Sequence, residues 1–335
     1  MSIRTVPRPR LLVAESRHFA AEARALLEPH WELALEDVPP GALPAALGDA
    51  EVLWVRLRHR IDAAVLDAGP ALRCIVSPTT GLNHIDLDAA AARGVTVLSL
   101  RGEVEFLKDV RATAEHTIGL LLAMLRHVPE AVEHARHGGW NRDLFRGREI
   151  YGRTVGLVGY GRLGRIVARY LAAFGARVLV TDPAVQPSDV EPPAVLVSLE
   201  ELLGRADIVS LHVSYDPAAH GWFGAPHFGR MRPGSWFVNT ARGEVVDETA
   251  LLDALRSGRL AGAAVDVASG EAFDGMGEHP LVRFASTDRR LLLTPHIGGN
   301  TAESLEKAET FMAGKLVRVA REASRVIGAQ AGPPG

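Results

Sequence analysis

Cysteine is all but missing from this 335-residue chain, which has Cys74 and no other. A single thiol excludes an internal disulfide framework and a cysteine-based metal site. Its neighbours Leu72, Ile75 and Val76 place it in an apolar run, where a thiol packs as a small hydrophobe. Lysine is scarce as well. Only Lys108, Lys307 and Lys315 occur, so the basic charge is nearly all arginine, spread along the chain rather than clustered. With a formal net charge of −3, there is no basic excess of the kind that draws a protein to nucleic acid or to an anionic membrane. Long apolar runs are also lacking, and the stretch Ile118 to Leu125 is far too short to span a bilayer. The basic start MSIRTVPRPR is followed by Glu15 and Arg17 too soon to leave a signal-peptide core. The expectation is a cytoplasmic protein with no nucleic-acid, membrane or metal partner.

What is present suits a globular α/β protein. The chain is 47% hydrophobic and 23% charged, which allows large cores, and its length allows two domains. Short apolar runs alternate with helical patterns, the sign of a parallel sheet. In the first hundred residues, strands are expected at 10–14, 52–57, 72–77 and 95–98, with helices at 19–27, 63–68 and from a cap at Asp86 through Ala92. Residues 112–137 give the longest helical signal, with a break or kink expected at Pro129. Further strands are expected at 208–213, 235–239, 262–267 and 291–294, helices at 199–203 and 248–257, and a closing helix over 301–327 before a disordered tail, GAQAGPPG.

Residues 154–182, TVGLVGYGRLGRIVARYLAAFGARVLVTD, are the most informative stretch. A buried strand, Thr154 to Val158, runs into Gly159-Tyr160-Gly161-Arg162-Leu163-Gly164. A helix then presents Leu163, Ile166, Val167, Tyr170, Leu171 and Phe174 on one face, and a second strand, Arg177 to Thr181, ends at Asp182. Gly159 permits the tight turn, Gly161 lets a pyrophosphate approach the backbone, and Gly164 lets helix and strand pack closely. The helix N-terminus offers free N–H groups to phosphates. Asp182, roughly 20 residues on, is placed to accept hydrogen bonds from a ribose. Its carboxylate would repel a 2′-phosphate, and Pro183, Ala184 and Val185 bring no arginine to hold one, so NAD is favoured over NADP.

Downstream strands end in polar groups, and ligands of open α/β sheets bind outside such carboxyl ends. Thr240, Ala241 and Arg242 follow one strand, Asp266 ends the next with Glu271 in its loop, and His296 follows a third. Taken singly, each could be an ordinary turn or surface residue. Together their chemistry is complementary. Hydride transfer to a ketone leaves negative charge developing on oxygen, and an imidazole can deliver the proton there. A carboxylate can orient that imidazole, and a guanidinium fork can grip a substrate carboxylate.

Several of these stretches resemble the D-isomer-specific 2-hydroxyacid dehydrogenases: AEHTIGLLLAMLR (114–126), the dinucleotide stretch, MRPGSWFVNTARGEVVDETALLDALRSGRLAGAAVDV (231–267) and LLTPHIGGNT (292–301). The similarity runs from about residue 50 to residue 315. The resemblance implies two open parallel-sheet lobes. One is a flavodoxin-like substrate domain of residues 1–102 plus 300–335, and the other a Rossmann NAD-binding domain of residues 103–299, with the active site in the cleft. It implies an NAD-dependent oxidoreductase interconverting a 2-oxo acid and a D-2-hydroxy acid, with His296 as general acid/base, Glu271 as its partner and Arg242 as substrate anchor. It places Gly159, Gly161, Arg162, Leu163, Gly164, Asp182, Thr240, Ala241, Asp266, Gly298 and Gly299 against the cofactor. Thr79, Thr80 and Gly81 of SPTTGLNHID would take the substrate carboxylate, although the family loop more often reads AGxGxDNID. Arg56 and Arg58 could hold a phosphate, as in 3-phosphoglycerate dehydrogenases, or be solvated strand-end arginines. Ala272 stands where the family usually has proline, and FDGMGEHP follows it. A homodimer through residues 112–145 is implied too. An alternative within the same fold is an NAD(H)-sensing binding protein of corepressor type.

Overall fold

The computed structural model describes residues 8–271 and 275–330, the side chains of 323–330 excepted. The chain divides into two compact units, one of residues 1–110 and 302–335 and the other of residues 111–301. The first unit runs past residue 102 because Leu107 is buried in the same cluster as Met312 and Leu316, so the segment before Val110 shares that core.

The first unit is a five-stranded parallel sheet. Its strands are β1 (Arg10–Val13), β2 (Glu32–Leu35), β3 (Val52–Trp54), β4 (Cys74–Ser77) and β5 (Thr96–Ser99), in the order β2-β1-β3-β4-β5. That order is the flavodoxin-like one, with its switch between β1 and β3. Side chains alternate across the sheet. Leu11, Val13 and Trp54 join Ala23, Leu27 and the helix Ala302–Gln330 on one face. Leu12, Leu53 and Ile75 pack on the other face with the helices Leu43–Leu47, Ala63–Ala68 and Leu87–Ala92. Asp86 does cap the last of these, accepting from the Ala89 N–H at 2.8 Å. Cys74 is half-buried in this unit, and desolvation of its thiol pushes its pKa up to about 12 and makes it unreactive. The sequence reading overran several strands, since 52–57 is paired only to Trp54, and it missed β2, whose alternation is broken by its partly exposed leucines. The closing helix reaches Gln330, so Gly328 to Gln330 are helical, and the rest of the expected tail lies outside the described residues.

The second unit is a seven-stranded parallel sheet. Its strands are β6 (Thr154–Val158), β7 (Arg177–Thr181), β8 (Val195–Leu196), β9 (Ile208–Leu211), β10 (Ser235–Asn239), β11 (Leu260–Val265) and β12 (Leu291–Leu293). Their order, β12-β11-β10-β9-β6-β7-β8, is the doubly wound arrangement with the switch point between β6 and β9. The helices Ala112–Leu125 and Arg162–Ala173 cover one face, and the helices Leu199–Arg205, Ala225–Arg230, Glu248–Arg256 and Pro280–Ala285 the other. The long signal over 112–137 is two helices. The break falls at His127, in the left-handed region at φ 53°, and Pro129 sits in the first turn of the next helix, Val128–Arg136. Proline is welcome there because the first helical N–H groups have no intrahelical acceptor. No described helix is long and apolar enough to cross a membrane.

Candidate active site

Gly159, with φ 99°, makes the turn after β6, and a Cβ there would lie 2.6 Å from the His212 carbonyl oxygen. Gly164 is tighter still, since a Cβ would meet the Gly159 carbonyl oxygen at 2.2 Å. Helix and strand thus touch through these two glycines. Gly161, the N-cap of the helix Arg162–Ala173, has nothing within 4 Å of a would-be Cβ. Its bareness serves no internal packing and leaves open backbone at a helix N-terminus, the setting for a pyrophosphate. Arg162 and Leu163 form the first turn there, and burial lowers the Arg162 pKa. At the end of β7 the Asp182 carboxylate is fixed in place, accepting from the Tyr160 N–H at 2.8 Å and the Ala184 N–H at 2.9 Å. Each oxygen keeps a lone pair for a ribose hydroxyl. These residues fit a dinucleotide and offer no cation beside Asp182 in the segment 183–185 for a 2′-phosphate.

Three strand ends of the same sheet converge on a second cluster. After β10, Asn239 folds the turn around itself, accepting from the Ala241 N–H at 3.0 Å and donating to the Arg242 carbonyl at 2.9 Å. Thr240 is tied back by its hydroxyl to Thr117 at 2.8 Å. Arg242 is half-buried and donates to the Ala241 carbonyl at 2.5 Å. Desolvation lowers its pKa, opposed by the charges of Glu271 and Glu244. A Cβ on Gly243 would lie 2.0 Å from the carbonyl carbon of Ala268, so the Arg242 turn stacks directly on the Glu271 turn. Ser269 is held from both sides of its backbone, by Glu248 through its N–H and by His279 through its carbonyl. Burial raises the Glu248 pKa. Glu271 in turn accepts from His296, whose Nδ1 donates to Oε1. Their side chains are 34% and 25% exposed, open enough to meet a ligand.

The structure therefore brings Arg242, Glu271 and His296 together with Thr240, Ala241, Asp266, Gly298 and Gly299 in one unit, the one that carries the glycine turn. Thr79, Thr80 and Gly81 belong to the first unit, at the end of β4. There Thr79 Oγ1 bonds Ser77 at 2.9 Å and the Gly81 carbonyl at 2.8 Å. Arg56, in the same unit, does not present an open fork. Its Nε and Nη2 reach Glu309 Oε1 at 2.8 and 2.5 Å, and its Nη1 donates to the Arg17 carbonyl at 3.0 Å. Arg58 is paired with Asp37 at 2.5 Å. These ion pairs use the geometry that a phosphate would need. Ala272 and the first residues of the loop after it lie outside the described residues. Sequence reasoning missed His116, whose Nε2 lies 3.1 Å from Asp266 and 3.2 Å from Thr294. The available signal was the polar set Thr113, His116 and Thr117 on a helix whose one other polar side chain, Glu115, is exposed.

The chain matches the family model described as D-isomer specific 2-hydroxyacid dehydrogenase, NAD binding domain, over residues 118–298. It is 39% identical over 279 residues to a D-3-phosphoglycerate dehydrogenase of Mycobacterium bovis, covering 83% of this chain and 50% of that protein. It is 36% identical to a glyoxylate reductase of Thermofilum pendens, covering 85% of this chain and 83% of that protein. A crystal structure of D-lactate dehydrogenase from Aquifex aeolicus, complexed with NAD and lactic acid, superposes with a TM-score of 0.78 at 25% identity, covering 97% of this chain and 99% of that one. The chain spans about half the length of the first curated relatives it matches. With a family match over more than half its length and a relative at 36% identity largely covered, the chain belongs to the D-isomer specific 2-hydroxyacid dehydrogenase family.

Proposed function

We propose that this protein is an NAD-dependent oxidoreductase that interconverts a 2-oxo acid and a D-2-hydroxy acid. The carrying observation is the His296–Glu271 hydrogen bond beside Arg242, at strand ends of the sheet that bears the glycine turn and Asp182. NADH supplies the hydride to the carbonyl carbon when it is bound. His296 commits Nδ1 to Glu271 and keeps Nε2 for the substrate oxygen, to which it delivers a proton as charge develops. Glu271 fixes the ring's orientation. Arg242, partly desolvated, holds the substrate carboxylate and polarises the carbonyl, since a guanidinium is worth more where water is scarce. The Thr79, Thr80 and Gly81 loop is a candidate for further carboxylate contacts through its backbone N–H groups. Arg56 and Arg58 are engaged by carboxylates, so the phosphate role is not part of this reading.

A homodimer is also proposed. The segment after the helix break exposes Val128, Val132, Leu144, Tyr151 and above all Trp140, which is 94% exposed. Several large apolar side chains left exposed along one segment are what an interface would cover.

The test is NADH oxidation over glyoxylate, hydroxypyruvate, pyruvate, branched and aromatic oxo acids, and phosphohydroxypyruvate. His296→Ala should cut kcat about 10³-fold or more while NADH still binds, because proton delivery alone is removed. Unchanged turnover in that variant would refute the assignment. Reduction of none of these acids, together with NADH-dependent capture of a protein partner, would favour a sensing role instead.

A further inference from the structure

We propose that His116 is a positioning residue for the His296 acid–base group, acting through the buried carboxylate of Asp266. The inference rests on the oxidoreductase reading for its kinetic part only. Asp266 follows β11 and is 1% exposed. Its Oδ2 accepts the Gly298 N–H at 2.8 Å, and its Oδ1 accepts the Ile297 N–H at 2.9 Å and the Thr294 hydroxyl at 2.5 Å. Its main-chain carbonyl accepts the His296 N–H at 2.8 Å. Three consecutive amides, 296 to 298, are thus wrapped around one residue. They force His296 into the left-handed region, at φ 52°. A non-glycine residue is disfavoured in that conformation and keeps it only where its surroundings over-determine it. The bend is what aims Nδ1 at Glu271.

All but one of the side-chain and backbone donors on this carboxylate come from the His296 loop itself. The exception is His116, in the second turn of the helix Ala112–Leu125. An ionised carboxylate only accepts, so Nε2 of His116 carries the hydrogen. The Thr294 hydroxyl gives its proton to Asp266 and can take the same His116 N–H at 3.2 Å. His116 therefore anchors the Asp266 carboxylate to a packed helix. Without it the loop and the carboxylate can shift together, and the register of His296 on Glu271 slackens. Reacting groups misplaced by about 1 Å can lose as much as 10²-fold in rate.

The experiment compares wild type, His116→Ala and His116→Gln, the last of which keeps an N–H near the Nε2 position. Long-range 1H–15N spectra of ¹⁵N-histidine-labelled, ligand-free protein read the His296 ring tautomer, assigned by its loss in His296→Gln. The Nδ1–H form is expected in wild type and in His116→Gln, and a mixture in His116→Ala with its thermal unfolding little changed. On whichever oxo acid the wild type reduces, kcat of His116→Ala should fall roughly 10–100-fold with KM for the acid nearly unchanged, because Arg242 is untouched, and glutamine should restore most of it. An unaltered tautomer in His116→Ala, a mixed ring already in the wild type, or no rescue by glutamine would overturn the proposal. Should the alanine variant fail to fold, His116→Asn, whose amide falls short of Asp266, replaces it with the same two outcomes. The spectra need neither cofactor nor substrate, so they decide the proposal even if every acid in the screen is left unreduced.

Discussion

At position 161 the chain leaves room that it does not itself use, whereas at 159 and 164 every ångström is taken. The three glycines of one motif should therefore fail differently. Gly164→Ala must push its Cβ into the Gly159 carbonyl and should destabilise the unit, read as a lowered unfolding temperature. Gly161→Ala should unfold at the wild-type temperature yet lose at least about tenfold in NADH affinity, read by fluorescence titration, since only a pyrophosphate would meet the added methyl. His212 supplies a pH dependence. Burial lowers its imidazole pKa to about 4, and its Nε2 lies 3.0 Å from Ser210. A histidine with a depressed native pKa contributes stability that is full above its unfolded value, about 6.5, and is lost as pH falls toward about 4. Thermal melts across that window should show the stability gap between wild type and His212→Gln shrinking as the pH drops. At this scale the sequence was highly legible. Arg242, Glu271 and His296 follow strands whose ends could be placed, but His116 was not legible as a partner, because its meaning depends on a carboxylate 150 positions away.

The elements differ in how plainly they announce themselves. β6, β7 and β10 were placed to the residue because they are buried runs bounded by glycine or turn residues. β2 and β8 were not, since edge strands carry partly exposed side chains and little pattern. The helix Ala302–Gln330 was expected from its apolar spacing, but not the ion pair it carries into the first unit's core. Glu309 is fully buried, and burial raises its pKa despite the Arg56 guanidinium beside it. Removing one partner of such a pair leaves a buried charge uncompensated, at about 3–5 kcal/mol. Arg56→Ala should therefore lower stability by that order in denaturant titration, and Arg56→Met with Glu309→Gln by much less. If Arg56→Ala instead left stability intact and weakened only phosphorylated acids, the arginine would be a substrate anchor after all.

For the whole molecule, the apolar surface around Trp140 predicts that the protein sediments at twice the chain mass. Trp140→Glu combined with Leu144→Glu should shift it to the monomer without unfolding it, because neither side chain contributes to a described core. The division into units has a further consequence. The second unit is one uninterrupted segment, entered at Arg111 and left at Thr301, whereas the first is assembled from both ends of the chain. Its entrance and exit lie side by side, since a Cβ on Gly298 would come within 3.3 Å of the Thr113 side chain. The second unit is thus a cassette whose two leads emerge at one spot, and the His296 loop is the last thing the chain builds before leaving. A strain applied to those paired leads would therefore reach the His296 loop before any other part of the second unit.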